Sequence, residues 1–386
     1  PVSPGQALKD LGADLIINPS ASPFHIGKQS QRNRVFGGQA ARFDLPVLYV
    51  NQVGVHTELL FDGSSRAVNG NGEVVIQAPS FEETVVYAEF ANGKFSVGNS
   101  VPLDTDDTAQ LYKALVFGIR DYFQKMGFTQ ALLGSSGGID SAVVQALASA
   151  ALGGENVHPV LMPSMYSSDH SVSDAETLSK NLGNEAITLP IKNIYDQYLE
   201  TLSPVFEGKP FNLAEENLQA RSRAVLLMAI SNKMGYILLN TSNKSELSVG
   251  YSTLYGDLCG ALSVIGDVYK NQVYALARYI NRNGEIIPRN IIEKAPSAEL
   301  RPGQKDSDSL PDYDVLDELL KHYIEERKGI EELITMGYET AVVEKVVGLV
   351  NGSEYKRYQA PPILRVSAKA FGKGRLMPLV AKYRSR

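Results

Sequence analysis

The chain has 386 residues, with 37 Lys+Arg against 43 Asp+Glu for a net charge of −6, and a single cysteine, Cys259. That length suffices for two domains with separate cores. The acidic balance and the lack of any basic run argue against a nucleic-acid partner, and the lone cysteine rules out an internal disulfide and fits a reducing, cytoplasmic compartment. The five histidines include no pair at zinc spacing. No apolar run reaches membrane-spanning length and no signal peptide is visible, so no membrane association is expected.

In chain order, residues 13–18, 47–51, 57–62, 74–77 and 84–88 read as short strands between turns rich in Gly, Asn and Ser. Asp104, Thr105, Asp106 and Asp107 then resemble a helix cap with an acidic first turn, followed by the stripe Leu111, Leu115, Ile119 and Tyr122. A domain boundary is therefore expected there, dividing the chain into 1–103 and 104–386. Beyond it, strands at 128–133, 158–162, 186–191 and 236–240 alternate with helices that open near 139 and run over 169–182, 193–202 and 214–233. Such alternation predicts an α/β fold, a parallel sheet with helices on both faces. Ligands of such folds bind where the strands end. The polar stretch 301–308 reads as a mobile loop. The chain starts at Pro1 inside what reads as a domain, so a longer polypeptide is expected.

Between the strand 128–133 and the helix carrying Ala142, Val143, Ala146, Leu147 and Ala150 lies Gly134-Ser135-Ser136-Gly137-Gly138-Ile139-Asp140-Ser141. Free amide N–H groups at a helix start form an anion site, and glycines let phosphate oxygens approach the backbone. Ser136 and Ser141 add hydroxyl donors. Asp140 would repel a phosphate unless a divalent cation sat between them, and Mg²⁺ is commonly held by one or two carboxylates together with phosphates. The competing reading is an ordinary strand-to-helix turn with Asp or Ser as its cap. Better-known phosphate motifs are absent: the Gly-Lys pairs at Gly27, Gly93, Gly208 and Gly372 are not followed by Ser or Thr, and there is no Gly-x-Gly-x-x-Gly.

Three further clusters are candidates. Asn217 and Arg221, four apart, share a helix face, with Arg223 beside them; the alternative is a solvated surface. Asn240-Thr241-Ser242-Asn243-Lys244-Ser245-Glu246 follows an apolar strand and ends in a carboxylate, which suits either a ligand rim or a helix cap with Glu246 as the capping partner. Gly250 to Asp257 continues to Lys270, whose charge could neutralise phosphate.

Ser-Gly-Gly-Ile-Asp-Ser resembles the signature of the N-type ATP pyrophosphatases, which cleave ATP to AMP and pyrophosphate while adenylating a substrate. With the three clusters, with Leu161-Met162-Pro163-Ser164, with Ser297 to Gln304 and Asp308 to Pro311, and with Tyr355-Lys356-Arg357 and Gln359 to Pro362, the resemblance narrows to the NAD⁺ synthetases, in the form fused to an amidase. It implies a Rossmann-like ATP pyrophosphatase domain. It also implies that Gly134 to Ser141, Thr241 and Lys270 bind ATP, that Asn217, Arg221, Arg223, Glu246 and Lys356 bind deamido-NAD, and that Asp140 and Glu246 hold Mg²⁺. Asp140, Glu246 and Lys270 would carry the catalysis. Leu254 stands where ammonia-only relatives often have a dinucleotide-binding lysine, leaving Lys356 as its substitute.

Asn18 to Phe24, Lys28, Asn51 to Gly54 and Phe61 to Ser65 resemble the C-terminal part of a nitrilase-type amidase, an α/β sandwich, with Ser22 and Lys28 at glutamine-binding positions. That family's Glu-Lys-Cys set would lie upstream of Pro1, and Cys259 is expected to be a packed residue rather than a nucleophile. The expected activity is ATP-dependent amidation of deamido-NAD to NAD⁺ by a cytoplasmic homo-oligomer, with ammonia from glutamine. Alternatives are a GMP-synthetase-like ligase or a silent nucleotide-binding scaffold. The sequence also predicts that Asp140→Asn abolishes adenylation with little change in stability.

Overall fold

The computed structural model describes residues 3–56, 58–98, 100–102 and 104–380. Two compact units divide between Asp121 and Tyr122. Leu103, at the boundary expected from sequence, and Thr57, in an expected strand, lie outside the described residues.

The first unit opens with helix α1 (Pro4–Asp10), strand β1 (Ile16–Ser20) and helix α2 (Lys28–Phe43). Strands β2 (Val47–Asn51), β3 (Val53–His56), β4 (Leu59–Asp62), β5 (Arg66–Val68) and β6 (Val74–Gln77) follow, then the short hairpin β7 (Phe90–Ala91) and β8 (Lys94–Phe95). One sheet has the order β1-β2-β5-β6, with β1 and β2 parallel and the other pairs antiparallel. Ala40 of α2 packs on Val47 and Val68 on one face, while Ala67, Val75, Ile76 and Phe95 close the other.

Of the strand expected over 57–62, Leu59–Asp62 forms β4, paired antiparallel with β3 so that Val53 meets Asp62 and His56 meets Leu59. One expectation here needs correction. Residues 84–88 are not a strand: Val85 and Tyr87 are exposed, and β-branched side chains without a partner edge give propensity nothing to act on.

Helix α3 (Asp107–Met126) contains the division between the units. The second unit proceeds through β9 (Ala131–Gly134), α4 (Ile139–Leu152), β10 (Val157–Leu161), α5 (Asp169–Leu182) and β11 (Ile187–Thr188). Then come α6 (Lys192–Phe206), α7 (Leu213–Met234), β12 (Ile237–Asn240), α8 (Lys244–Val249), β13 (Leu262–Ser263) and α9 (Lys270–Ile280). Five strands lie in the order β11-β10-β9-β12-β13, every neighbouring pair parallel. Leu132, Leu133 and Val160 are fully buried, each contributing about 2 kcal/mol by removal from water. The chain winds outward from β9 in one direction and then from β12 in the other. The winding direction changes between those two strands, where a crevice opens beyond their carboxyl ends. α7 is well delimited: Asn212 and Glu215 form a capping box at its start, and Gly235 closes it in the left-handed conformation.

Beyond the sheet, α10 (Arg289–Glu293), α11 (Tyr313–Ile324), α12 (Ile330–Thr335), α13 (Thr340–Gly352) and α14 (Glu354–Arg357) complete the unit. Leu316, Leu320 and Ile324 of α11 pack with Val343, Val346 and Val350 of α13 in a core that includes Val249 of α8. The stretch 301–308 is partly anchored, because it ends in a 3-10 turn, Asp306–Asp308, whose Asp306 is buried.

Candidate active site

The carboxyl ends of β9 and β12 open into a cavity of about 300 Å³. All ten residues expected to bind ATP, Gly134 to Ser141 with Thr241 and Lys270, line it. The turn between β9 and α4 is shaped by its small residues. Gly137 has φ +75°, and a Cβ there would fall 2.2 Å from the Ser171 carbonyl oxygen, so only glycine fits. Ser135 is tied down by its N–H to Val160 O at 2.9 Å and its hydroxyl to Gln145 Oε1 at 3.0 Å. The Ser141 hydroxyl donates to Gly138 O and lies 3.1 Å from the Ser136 hydroxyl.

Asp140, in the first turn of α4, meets side chains from two other helices. Lys270 Nζ, at the start of α9, is 2.5 Å from Asp140 Oδ2 and 3.5 Å from Glu246 Oε1. Asn243 Nδ2 donates to Asp140 Oδ1 at 2.9 Å. Glu246 is the capping partner of α8, its Oε2 accepting from Asn243 N–H, and its Oε1 also faces Lys270. Burial and the neighbouring Asp140 push the Glu246 carboxyl up to about 8, against the pull of Lys270. For Lys270 burial disfavours the charge, but Asp140 and Glu246 outweigh it and hold the ammonium above its ordinary range. Asp306, also on the cavity, accepts from Tyr313 Oη at 2.9 Å through Oδ2, leaving its buried Oδ1 without a partner. Burial raises its carboxyl despite Lys270 and Tyr313.

The residues expected to hold the dinucleotide divide. Arg223 and Glu246 line the cavity, with Arg223 Nε donating to Met162 O at 3.0 Å. Burial lowers Arg223 to about 10, against Glu299 and Asp257. Asn217, Arg221 and Lys356 instead converge on the loop 250–257. Asn217 Oδ1 accepts from Thr253 Oγ1 at 2.7 Å, Arg221 Nε donates to Leu254 O at 3.2 Å, and Lys356 Nζ donates to Gly250 O and Ser252 O at 2.7 Å each. Helices α7 and α14 thus share one loop.

In the first unit, Ser22 and Lys28 flank a buried polar cluster. Arg32 and Asp62 pair at 2.7 Å with almost no exposure, and Arg32 Nη2 donates to Ser22 O at 2.8 Å and to Ser22 Oγ at 3.3 Å. Asn51 Oδ1 accepts from Ser22 N–H at 2.8 Å. Lys28 is lowered by burial and by Arg32, with Asp62 opposing.

Several supporting residues were not expected from sequence. Asp317 of α11 accepts from Ser245 Oγ at 2.5 Å and from Asn271 N–H at 2.8 Å, and Ser245 Oγ accepts from Lys270 N–H at 2.9 Å, so one carboxylate fixes the starts of both α8 and α9. Lys244 is fully buried. Its ammonium contacts Asp267 Oδ1 at 3.0 Å, Glu325 Oε1 at 2.8 Å, Ser367 Oγ at 2.7 Å and Lys369 O at 3.1 Å. Asp267 Oδ2 accepts from the N–H groups of Val366 and Ser367. Asp267 carries a sequence signal, a charge amid apolar residues, whereas Lys244 lies in a polar run that hides it. Cys259 packs beside Leu132 and Leu238, and burial, with Asp257 adding to it, pushes its thiol up to about 11, unsuited to a nucleophile.

The NAD synthase family profile matches residues 111–360, and the carbon-nitrogen hydrolase profile matches residues 6–94. The chain is 49% identical over 384 residues to the glutamine-dependent NAD(+) synthetase of Synechocystis sp., covering 99% of this chain and 69% of that protein. Against the Thermotoga maritima protein of the same description, identity is 41% over 420 residues, covering 100% and 73%. Among solved structures it is similar to the glutamine-dependent NAD+ synthetase from Acinetobacter baumannii in complex with ADP, with TM-score 0.73 and 42% identity over 97% of this chain and 69% of that one. On these similarities the chain belongs to the glutamine-dependent NAD(+) synthetase family.

Proposed function

We infer that this chain is a carbon–nitrogen ligase that amidates deamido-NAD to NAD⁺, cleaving ATP to AMP and pyrophosphate and taking its ammonia from glutamine. The observation that carries this reading is the glycine turn at β9, with Asp140, Glu246 and Lys270 gathered beside it in one cavity. The nicotinate carboxylate attacks the α-phosphorus of ATP, forming a mixed anhydride with AMP and releasing pyrophosphate. Ammonia then adds to the activated carbonyl, AMP departs with the bonding pair, and a proton is lost to give the carboxamide. The chain's own part is positioning and charge neutralisation: the amide N–H groups of Gly137 and Ile139 and the hydroxyls of Ser136 and Ser141 would meet the phosphates, the Ser136 and Gly138 N–H groups being taken by Ser141 Oγ and Ser136 Oγ, and Lys270 supplies positive charge.

Asp140 and Glu246 are the residues that would hold Mg²⁺. The fit rests on the two carboxylates meeting at one ammonium and on a third on the same cavity, Asp306, whose buried Oδ1 has no hydrogen-bond partner. Among the described residues no three His, Cys, Asp or Glu form a metal cage, so phosphate oxygens would have to complete the coordination. Bound there, the cation would offset charge on the reacting phosphates.

Arg223 and Glu246 in the cavity, and Asn217, Arg221 and Lys356 around loop 250–257, are proposed to bind deamido-NAD, and Ser22 and Lys28 to bind glutamine. The functional division proposed is 1–103 and 104–386. A homo-oligomer is part of the same reading, supported by exposed Val225 and Met228 on α7. So is a cytoplasmic location, which rests on the lone unpaired cysteine. The test is incubation with ATP, ammonium, Mg²⁺ and deamido-NAD: AMP and NAD⁺ should accumulate in equal amounts, and absence of AMP refutes the reading.

A further inference from the structure

The segment after α10 carries a cation that the chemistry above does not use. Residues 294–300 all line the cavity. Lys294 Nζ lies 2.5 Å from Glu299 Oε1, 2.6 Å from Ser171 Oγ and 3.4 Å from Ser168 Oγ. The same Glu299 oxygen accepts from both hydroxyls, at 2.9 Å from Ser171 and 3.2 Å from Ser168. Ser171 is the residue whose backbone abuts Gly137, so Lys294 is one side chain removed from the glycine turn. Glu299 has φ +48°, a left-handed conformation that side-chain-bearing residues seldom adopt, and Ser297 Oγ pins its N–H at 3.1 Å.

The charge balance of the cavity gives this pair a purpose. Its described lining holds three cations, Arg223, Lys270 and Lys294, against five carboxylates, Asp140, Glu246, Asp257, Glu299 and Asp306. Lys270 is shared by Asp140 and Glu246, and Arg223 is engaged with a backbone carbonyl. Lys294 has one carboxylate partner, and that partner keeps two hydroxyl donors if the lysine leaves. Lys294 and Glu299 are both partly exposed to the cavity, so a polyanion can reach the ammonium.

We propose that Lys294 is a second phosphate-binding cation of the adenylation site, held by Glu299 and handed from it to the β- and γ-phosphates of ATP. The inference rests on the reading of this cavity as the ATP site. In the adenylation step a bond forms from the substrate carboxylate oxygen to the α-phosphorus. The bond from that phosphorus to the β-bridging oxygen breaks, and its electron pair stays on pyrophosphate. Lys294 neutralises that growing charge without transferring a proton, while Glu299 remains with Ser168 and Ser171.

The experiment titrates the full chain with pyrophosphate, ATP and AMP, each with Mg²⁺, and compares Lys294→Met, Lys294→Arg and Glu299→Gln with the unaltered protein. Lys294→Met should bind pyrophosphate and ATP about ten-fold or more weakly, as expected for loss of one charge-assisted contact. It should bind AMP, which lacks the β- and γ-phosphates, as before. Lys294→Arg should recover most of the loss, and Glu299→Gln should bind pyrophosphate at least as tightly as the unaltered protein, because a competing carboxylate is gone. Unchanged pyrophosphate affinity in Lys294→Met, or an equal loss for AMP, overturns the proposal, as does weaker pyrophosphate binding by Glu299→Gln or none by the unaltered protein. A parallel assay of AMP release separates the two readings: an unaltered protein that makes no AMP defeats the assigned reaction, whereas normal AMP release beside a silent Lys294→Met defeats only the role of Lys294.

Discussion

Asp140→Asn removes one charge and almost no volume, and the structure sets what that charge does. Asp140 Oδ2 is 2.5 Å from Lys270 Nζ, whose side chain is 2% exposed, and Oδ1 accepts from Asn243. An asparagine can still accept from Asn243 through Oδ1, but its amide NH₂ then faces the ammonium, donor against donor. Taking one partner from a fully buried pair costs about 3–5 kcal/mol. Two features reduce that here: Asp140 is 18% exposed, and Glu246 stays within 3.5 Å of Lys270. Asp140 is also one cause of the raised Glu246 carboxyl, so its loss lets Glu246 ionise more readily and take over the ammonium. The expected cost is about 1–3 kcal/mol, read as a fall in Tm of roughly 2–4 °C per kcal/mol for a unit of this size. This revises the expectation from sequence of little change in stability. Pyrophosphate release with deamido-NAD and ammonium should fall about 10²-fold or more, since a positioned electrostatic group is lost. Thermal melts and urea unfolding, run beside a pyrophosphate-coupled assay, measure both. A folded variant with near-normal pyrophosphate release refutes the catalytic assignment, and an unchanged melting point refutes the ion-pair reasoning.

Gly137→Ala should lose about 2–4 kcal/mol, from the left-handed backbone and from a Cβ 2.2 Å from the Ser171 oxygen, and should bind ATP poorly; a variant that melts and binds like the parent would contradict the fit. Arg221→Ala should raise the concentration of deamido-NAD needed far more than that of ATP, because Arg221 reaches loop 250–257 and not the phosphate cavity; equal effects on the two KM values would remove it from the dinucleotide site. Asp317 is pushed up to about 6 by burial, against its contacts with Asn271 and Ser245, so its folded form binds a proton more readily than the unfolded chain. Its stabilising contribution is therefore complete below the ordinary carboxylate range and lost as pH rises through about 6. Urea unfolding at pH 4.5 and 7.5 should show the parent losing about 2 kcal/mol more than Asp317→Asn over that interval, and parallel slopes would rule this out.

The turn from Gly134 to Ser141 could be read in advance because its information is local: small residues, an apolar strand before and a helical stripe after. The parallel sheet was legible for the same reason, as was the capping role of Glu246, since a capping box is a four-residue pattern. What escaped were groups whose meaning comes from distant segments. Lys294 meets Glu299 five residues on, but both derive their setting from Ser168 and Ser171 more than a hundred positions earlier. Asp317 looks like any acidic residue on a helix until Ser245 and Asn271 are brought to it. Helix α2 was missed because Lys28 to Phe43 is rich in Gln, Arg and Asn, with Val35, Phe36, Ala40 and Phe43 as too sparse a stripe. Its packing against the sheet supplies what the pattern lacked.

The lattice of contacts around Lys244 makes the stretch 363–369 a remote hinge pin for the reaction centre. That ammonium stands at the first position of the helix bearing Glu246, and it is held by groups from the turn after β13, from Glu325 just past α11 and from Ser367 and Lys369. Pulling the stretch 366–369 away would take the Ser367 hydroxyl and the Lys369 carbonyl from the Lys244 ammonium and both N–H donors from Asp267 Oδ2, loosening the turn that aims Asn243 and Glu246. Protease cleavage near residue 366 should thus silence the enzyme without touching any group that meets substrate, and amides of Val366 and Ser367 should exchange with solvent in step with those of α8.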